Sequence, residues 1–221
     1  ARLRPESAEA WQDLARLVER LEHEKQAVEA YRQAADRFDQ SEELTSAGEC
    51  LKSALRHVPE DTSLRLRLAE LEIKTGDFSS ALVERLQAAG ILQKLNQQDE
   101  SLKIVLDNLK IKPDHLPSLE VWFSQVSGQP ENIKIDFDRA LQLAEVYQSQ
   151  GLVGKAIQHL DELRRLTGED DRVTRLLVPL LQQTGEVHRA LNLLMERGRN
   201  LAGQGETEKA LECFRQAEEI V

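Results

Sequence analysis

Five histidines, two cysteines and one run of three acids are the residues of this chain best suited to chemistry. An imidazole can act as a general base or bind a metal, a thiolate can attack a carbonyl or hold zinc, and adjacent carboxylates can attract a cation. The spacing supports none of these roles. His23, His57, His115, His159 and His188 fall mostly at the ends of helical patterns or in loops, without the spacing of metal ligands. Cys50 and Cys213 stand alone inside helical patterns, so neither a disulfide framework nor a zinc site is expected. Glu169-Asp170-Asp171 precedes an apolar stripe, where acids cap a helix and meet its positive end. A glycine-rich phosphate loop, HExxH, a paired CxxC and GxSxG are all missing from the sequence. The chain is therefore expected to be non-catalytic, with no catalytic, cofactor-binding or metal residues.

Composition narrows the class further. Forty per cent hydrophobic with 31% charged suits a soluble helical protein, and at 4% aromatic the core must be built from Leu, Ala, Val and Ile. The net charge of −10 and the absence of a Lys/Arg-rich run argue against nucleic acid. No apolar stretch is long enough to span a membrane, so direct membrane insertion is not expected. The chain starts at Ala1 without Met and ends within an amphipathic pattern, as a fragment of a longer protein would. Unpaired thiols and the lack of a signal point to the cytoplasm, with a periplasmic or membrane-associated parent left open.

The elements that would position any site are set by a period. Small residues recur at Ala27, Ala47, Ala81, Ser101, Ala156, Ala190 and Ala210, with spacings of 20, 34, 20, 55, 34 and 20 residues. Neighbouring spacings combine into a 54-residue unit, with one residue inserted in the third. Four units start at positions 8, 62, 116 and 171, and each reads as three amphipathic helices. One column holds Leu14, Leu68, Trp122 and Leu177; another holds Leu51, Val105, Leu160 and Phe214. The spacing predicts an all-α stack of about twelve antiparallel helices. Its divisions are an N-terminal half-array at 1–112, an irregular junction at 113–136 and a C-terminal half-array at 137–221. Short connections such as Thr75-Gly76-Asp77 and Thr184-Gly185-Glu186 force neighbouring helices antiparallel.

Trp11, Leu14, Ala15, Val18, Ala27, Tyr31 and Ala34 resemble the tetratricopeptide repeat, whose 34-residue unit is a helix pair. Tyr31, Ala34, Ala35, Phe38, Ala47, Leu51, Ala54 and Pro59 match it again 20 residues later, as do Leu143, Ala144, Tyr147, Gly151, Ala156 and Leu160. A last match runs through Leu201, Gly205, Ala210, Phe214 and Ala217. Helices 25–40, 78–95 and 187–203 satisfy both the first-helix and second-helix signatures. The middle helix of each unit is therefore expected to be the most buried. Three is an odd number, so strict alternation inverts each successive unit.

Two stretches break the pattern. Trp122-Phe123 puts bulk where other units have Leu-Ala, followed by an irregular SGQPENIKIDF; this is either a repacked core at a seam or a pair of rings exposed for binding. Repacked core is favoured because aromatic rings are mostly buried. Pro179 lies inside a helical pattern and should kink it. Asp136 or Asp138, and Asp170 or Asp171, are the expected helix caps.

The resemblance implies an all-α right-handed superhelical solenoid that serves as a protein-interaction scaffold, binding a peptide segment or partner protein in a groove. The groove-facing positions would be near Gln12, Arg16 and Glu19 on the first helix, Leu66, Glu70 and Ile73 on the fourth, and Arg172, Arg175 and Gln182 on the tenth. Leu66 and Ile73 are apolar yet lie off the core stripe. Some family members clamp a peptide carboxylate with paired Lys and Asn, which Gln12 with Arg16 and Leu66 with Glu70 do not reproduce. The alternative is a regulatory or assembly segment of a larger enzyme or of a secretion, pilus or envelope complex, acting by intramolecular docking or self-association.

Overall fold

The computed structural model of the chain describes residues 7–168 and 170–220, with Pro130 described by its backbone alone. Among these residues thirteen α-helices and no strand are formed. The first block holds α1 (Ala8–Arg20), α2 (Glu24–Gln40) and α3 (Leu44–His57), and the second holds α4 (Thr62–Lys74), α5 (Phe78–Lys94) and α6 (Gln98–Ile111). The third holds α7 (Leu116–Val126), α8 (Pro130–Ile135), α9 (Phe137–Ser149) and α10 (Val153–Thr167). The fourth holds α11 (Asp171–Gln183), α12 (Val187–Gly203) and α13 (Thr207–Ile220). Helix lengths of 13, 17 and 14 residues recur in the first, second and fourth blocks. The helix starts reproduce the sequence phase.

The third block differs because its middle helix is broken. That block carries the insertion, and its middle helix is divided into α8, which begins at Pro130, and α9; the two meet at Asp136 in a non-helical backbone (φ −124°, ψ 47°). This supplies the helix beyond the expected twelve. Pro179 breaks nothing: α11 runs through it from Asp171 to Gln183, and the proline is exposed.

Turns within the blocks share one design. Glu22, Glu42, Gly76, Asn96, Gly151, Gly185 and Gly205 each sit at the centre of a three-residue turn with φ between 60° and 83°. The following amide closes a bond five residues back, as from His23 to Val18 (3.1 Å) or Asp77 to Glu72 (2.8 Å). This satisfies carbonyls that the helix end leaves open. Blocks are joined differently. Asp61 and Asp170 cap α4 and α11, accepting from the amides of Leu64 (3.0 Å) and Arg172 (2.8 Å). Asp136 occupies the N-cap position of α9 without making a cap bond, and its side chain turns to Arg139. Glu169, in the acidic run, lies outside the described residues.

The helices fall into two compact units, one ending at Pro113 and the other beginning at Asp114. In the first unit, Gln12 to Cys50 (3.5 Å) and Glu19 to His57 (3.0 Å) tie α1 to α3. Asp39 to Lys74 (3.0 Å) and the pair Asp36–Arg67 tie α2 to α4. Consecutive helices therefore alternate between two layers. Ala15, Ala34, Ala35, Ala47, Ala54 and Ala69 are fully buried, and their small side chains let the layers approach. In the second unit, α9 packs against α7, α8, α10 and α11. The pairs Asp138–Arg172 (2.8 Å) and Glu196–Arg164 link α9 to α11 and α12 to α10.

The middle helices are not uniformly the most buried. Helix α12 buries only Ala190, Leu193, Leu194 and Gly198, whereas α11 buries six residues over a shorter length. Gly198 explains one close approach: a Cβ there would lie 2.5 Å from the Phe214 ring of α13. Helix propensity alone favours alanine over glycine by about 1 kcal/mol, but the clash reverses the sign. Gly198→Ala is expected to lower stability by about 1–2 kcal/mol, and to be neutral or better in a Phe214→Leu background. Equal effects in both backgrounds, measured by urea unfolding, would refute the ring contact.

Candidate functional site

The expected groove positions separate into three places. Gln12 is half-buried on α1 and reaches the Cys50 sulfur, while exposed Arg16 pairs with Asp13 at 3.6 Å. Leu66 and Ile73 are half-buried on α4 and flank exposed Glu70 at helical spacing. Because α1 and α4 belong to different layers, the structure does not bring these two sets onto one face. The cause is the odd number of helices per block. In the second unit, Arg172 pairs with Asp170 and Asp138 and lies over the Phe137 ring at 4.4 Å. Arg175 pairs with Asp171 at 2.6 Å. Arg175 and Gln182 line a cleft of about 320 Å³ with Pro179, Gln216 and Glu219, from which Arg172 is absent.

Exposed apolar side chains lie elsewhere. Leu17 on α1 is 54% exposed and Leu21 at its end 59%, one helical turn apart. Phe78 and Val83 on α5 and Ile135 on α8 are also exposed. Sequence reasoning missed Leu17 and Leu21, because their spacing of three and seven residues from Leu14 reads as part of the packing stripe.

The titratable groups form bridges between helices. Tyr31 on α2 donates to Glu19 Oε2 of α1 (2.6 Å), and His57 of α3 meets Glu19 Oε1 (3.0 Å). The Tyr31 bond is the main cause holding the Glu19 carboxyl below its usual range, while burial and Glu19 push the Tyr31 phenol up to about 12. The second unit repeats this bridge: Tyr147 of α9 donates to Glu120 Oε1 of α7 (2.8 Å), and Lys155 of α10 reaches the same oxygen (3.0 Å). Burial, then the Glu120 bond, raises the Tyr147 phenol. Glu72 is buried on α4, with Lys52 Nζ 3.0 Å from Oε1 but neither oxygen accepting a hydrogen bond among the described residues. Burial raises its pKa, partly offset by Lys52.

His159 departs from the expectation for histidines, since it is buried in mid-helix on α10. Its Nε2–H donates to the Ala140 carbonyl (2.7 Å), and the Phe123 ring meets it edge-on at 4.4 Å. Burial lowers its pKa. The folded chain therefore holds it neutral, while the unfolded chain takes up a proton below about pH 6.5. Stability should fall as pH drops from above that value, by up to about 1.4 kcal/mol per pH unit. His159→Gln should remove this part of the acid sensitivity; identical pH profiles for both proteins would refute it.

Among the described residues no group of three or more His, Cys, Asp or Glu could hold a metal ion, and no helix is long and apolar enough to cross a membrane. The geometry is that of stacked helix pairs. A family model described as tetratricopeptide repeat matches residues 8–40, which hold α1 and α2. The chain carries one tetratricopeptide-repeat match, at α1 and α2. No curated protein matches this repeat protein in sequence. Similar solved structures include a tetratricopeptide repeat protein from Parabacteroides merdae, 20% identical, covering 87% of this chain and 93% of that one, with a TM-score of 0.28. PilF of Pseudomonas aeruginosa is 17% identical over 91% of this chain and 95% of its own, with a TM-score of 0.37. The TPR2AB domain of yeast Sti1, in complex with a pHSP90, is 14% identical over 96% and 98%, with a TM-score of 0.39.

Proposed function

We propose that the repeat protein is a non-catalytic scaffold that holds a protein or peptide segment of a partner against helix faces not used in packing. One observation carries this reading. The repeat signature residues Ala15, Ala27, Tyr31 and Ala34 are buried in helix contacts, while α1 keeps an outward face with Leu17 and Leu21 exposed beside Arg16. Exposed apolar residues grouped with polar ones suit a partner interface. Gln12 and Arg16 belong to that helix; Leu66, Glu70 and Ile73 on α4, and Arg172, Arg175 and Gln182 on α11, are further candidate contacts. The buried thiols, with Cys50 pushed up to about 11 by burial, suit a reducing compartment such as the cytoplasm.

The test is affinity capture with crosslinking, mapping contacts onto helices for the wild type and two double variants. Leu17→Glu with Leu21→Glu should leave the melting temperature unchanged and remove crosslinks to α1. If Leu66→Glu with Ile73→Glu keeps both its fold and every crosslink, α4 is not a contact surface. Light scattering across a concentration range identifies self-association, which would favour an assembly role instead.

A further inference from the structure

The second unit contains a groove of about 360 Å³ between α7, α9 and α10. Its walls are the rings of Phe123, Tyr147 and His159, and its rim carries Glu120 and Glu162. One cation is already seated there. Lys155 Nζ lies 5.4 Å from the centre of the Tyr147 ring and 3.0 Å from Glu120 Oε1. An ammonium between an aromatic face and a carboxylate is the arrangement that binds cations in partly desolvated sites. The Lys155 side chain is 56% exposed, so its seat can be taken by another group. Both bonds to Glu120 fall on Oε1, which leaves Oε2 for a second donor. The corresponding bridge in the first unit ends in His57, whose side chain is only 16% exposed.

We propose that this groove receives an arginine side chain from a basic peptide segment of the partner, with Lys155 as the resident cation that the arginine displaces. This rests on the scaffold reading and assigns it a contact chemistry. A guanidinium fits better than an ammonium for two reasons. Its plane can stack on the ring, and its fork can address both oxygens of Glu120, where an ammonium is a point charge. The chain's net charge of −10 favours a basic partner at longer range.

The probe is an acetylated, amidated pentapeptide, Gly-Ser-Arg-Ser-Gly, titrated into the full chain while NMR follows the ring signals of Tyr147 and His159. A matched peptide with glutamate at the centre is the control. The arginine peptide should shift both signals saturably, and the glutamate peptide should leave them unmoved. Lys155→Met, with Lys155→Gln as a second variant, should tighten arginine-peptide binding by about twofold to tenfold. Glu120→Gln, which still accepts the Tyr147 hydroxyl, should weaken it by a similar factor. Unmoved ring signals, stronger binding of the glutamate peptide, or no tightening on loss of Lys155 each overturn the proposal. If any of these occurs while captured partners still crosslink to α1 or α4, the groove assignment fails alone. If no partner is captured at all, the scaffold reading fails with it.

Discussion

Trp122→Ala is expected to cost the second unit about 3–5 kcal/mol, the largest loss of any single substitution considered for this chain. Trp122 is 2% exposed and Phe123 8%, so the two rings that break the Leu-Ala column belong to the core. Both rings have further partners. Arg139 lies 5.2 Å over the Trp122 ring, and Phe123 meets His159. Removing the indole leaves a cavity that α7 cannot close alone, because Leu119 and Val126 on the same helix are already packed. Urea unfolding should show a lower midpoint at unchanged slope. A loss under about 1 kcal/mol would put the ring outside the core and revive a binding role for it.

Leu51→Ala and Leu160→Ala should each cost about 2–5 kcal/mol, although they lie in different units. They share a column of the repeat, and both are fully buried. Phe214 shares that column but is only half-buried on α13, so Phe214→Ala should cost less despite the larger side chain. The ranking is the test. If Phe214→Ala proves the most damaging of the three in thermal and urea unfolding, column position rather than burial governs stability.

Much of this fold is legible in the sequence because small and large residues keep a strict phase. Positions 8, 62, 116 and 171 are helix starts, and Asp170 is the one of the two expected acids that caps α11. Other features are invisible for definite reasons. Glu22 and Glu42 take the left-handed turn position that glycine marks elsewhere, so composition gives no sign of it. The break at Asp136 has no proline or glycine at or beside it to mark it. The site is less legible than the fold. Gln12 and Leu66 share a helical register in sequence but not a layer, and the groove at Glu120, Tyr147 and Lys155 is assembled from three helices whose motif residues read only as packing.

The mismatch between blocks of three helices and layers that alternate by two has an evolutionary corollary. Helices α1 and α4 open successive blocks 54 residues apart, yet lie in different layers. A segment duplicated at that length would have to survive on either side of the sheet of helices it joined. Averaging the first two blocks into one consensus would blend two environments and blur any surface selected for binding. An engineer extending this array would do better to copy a pair of blocks, so that each inherited side chain returns to the face it came from.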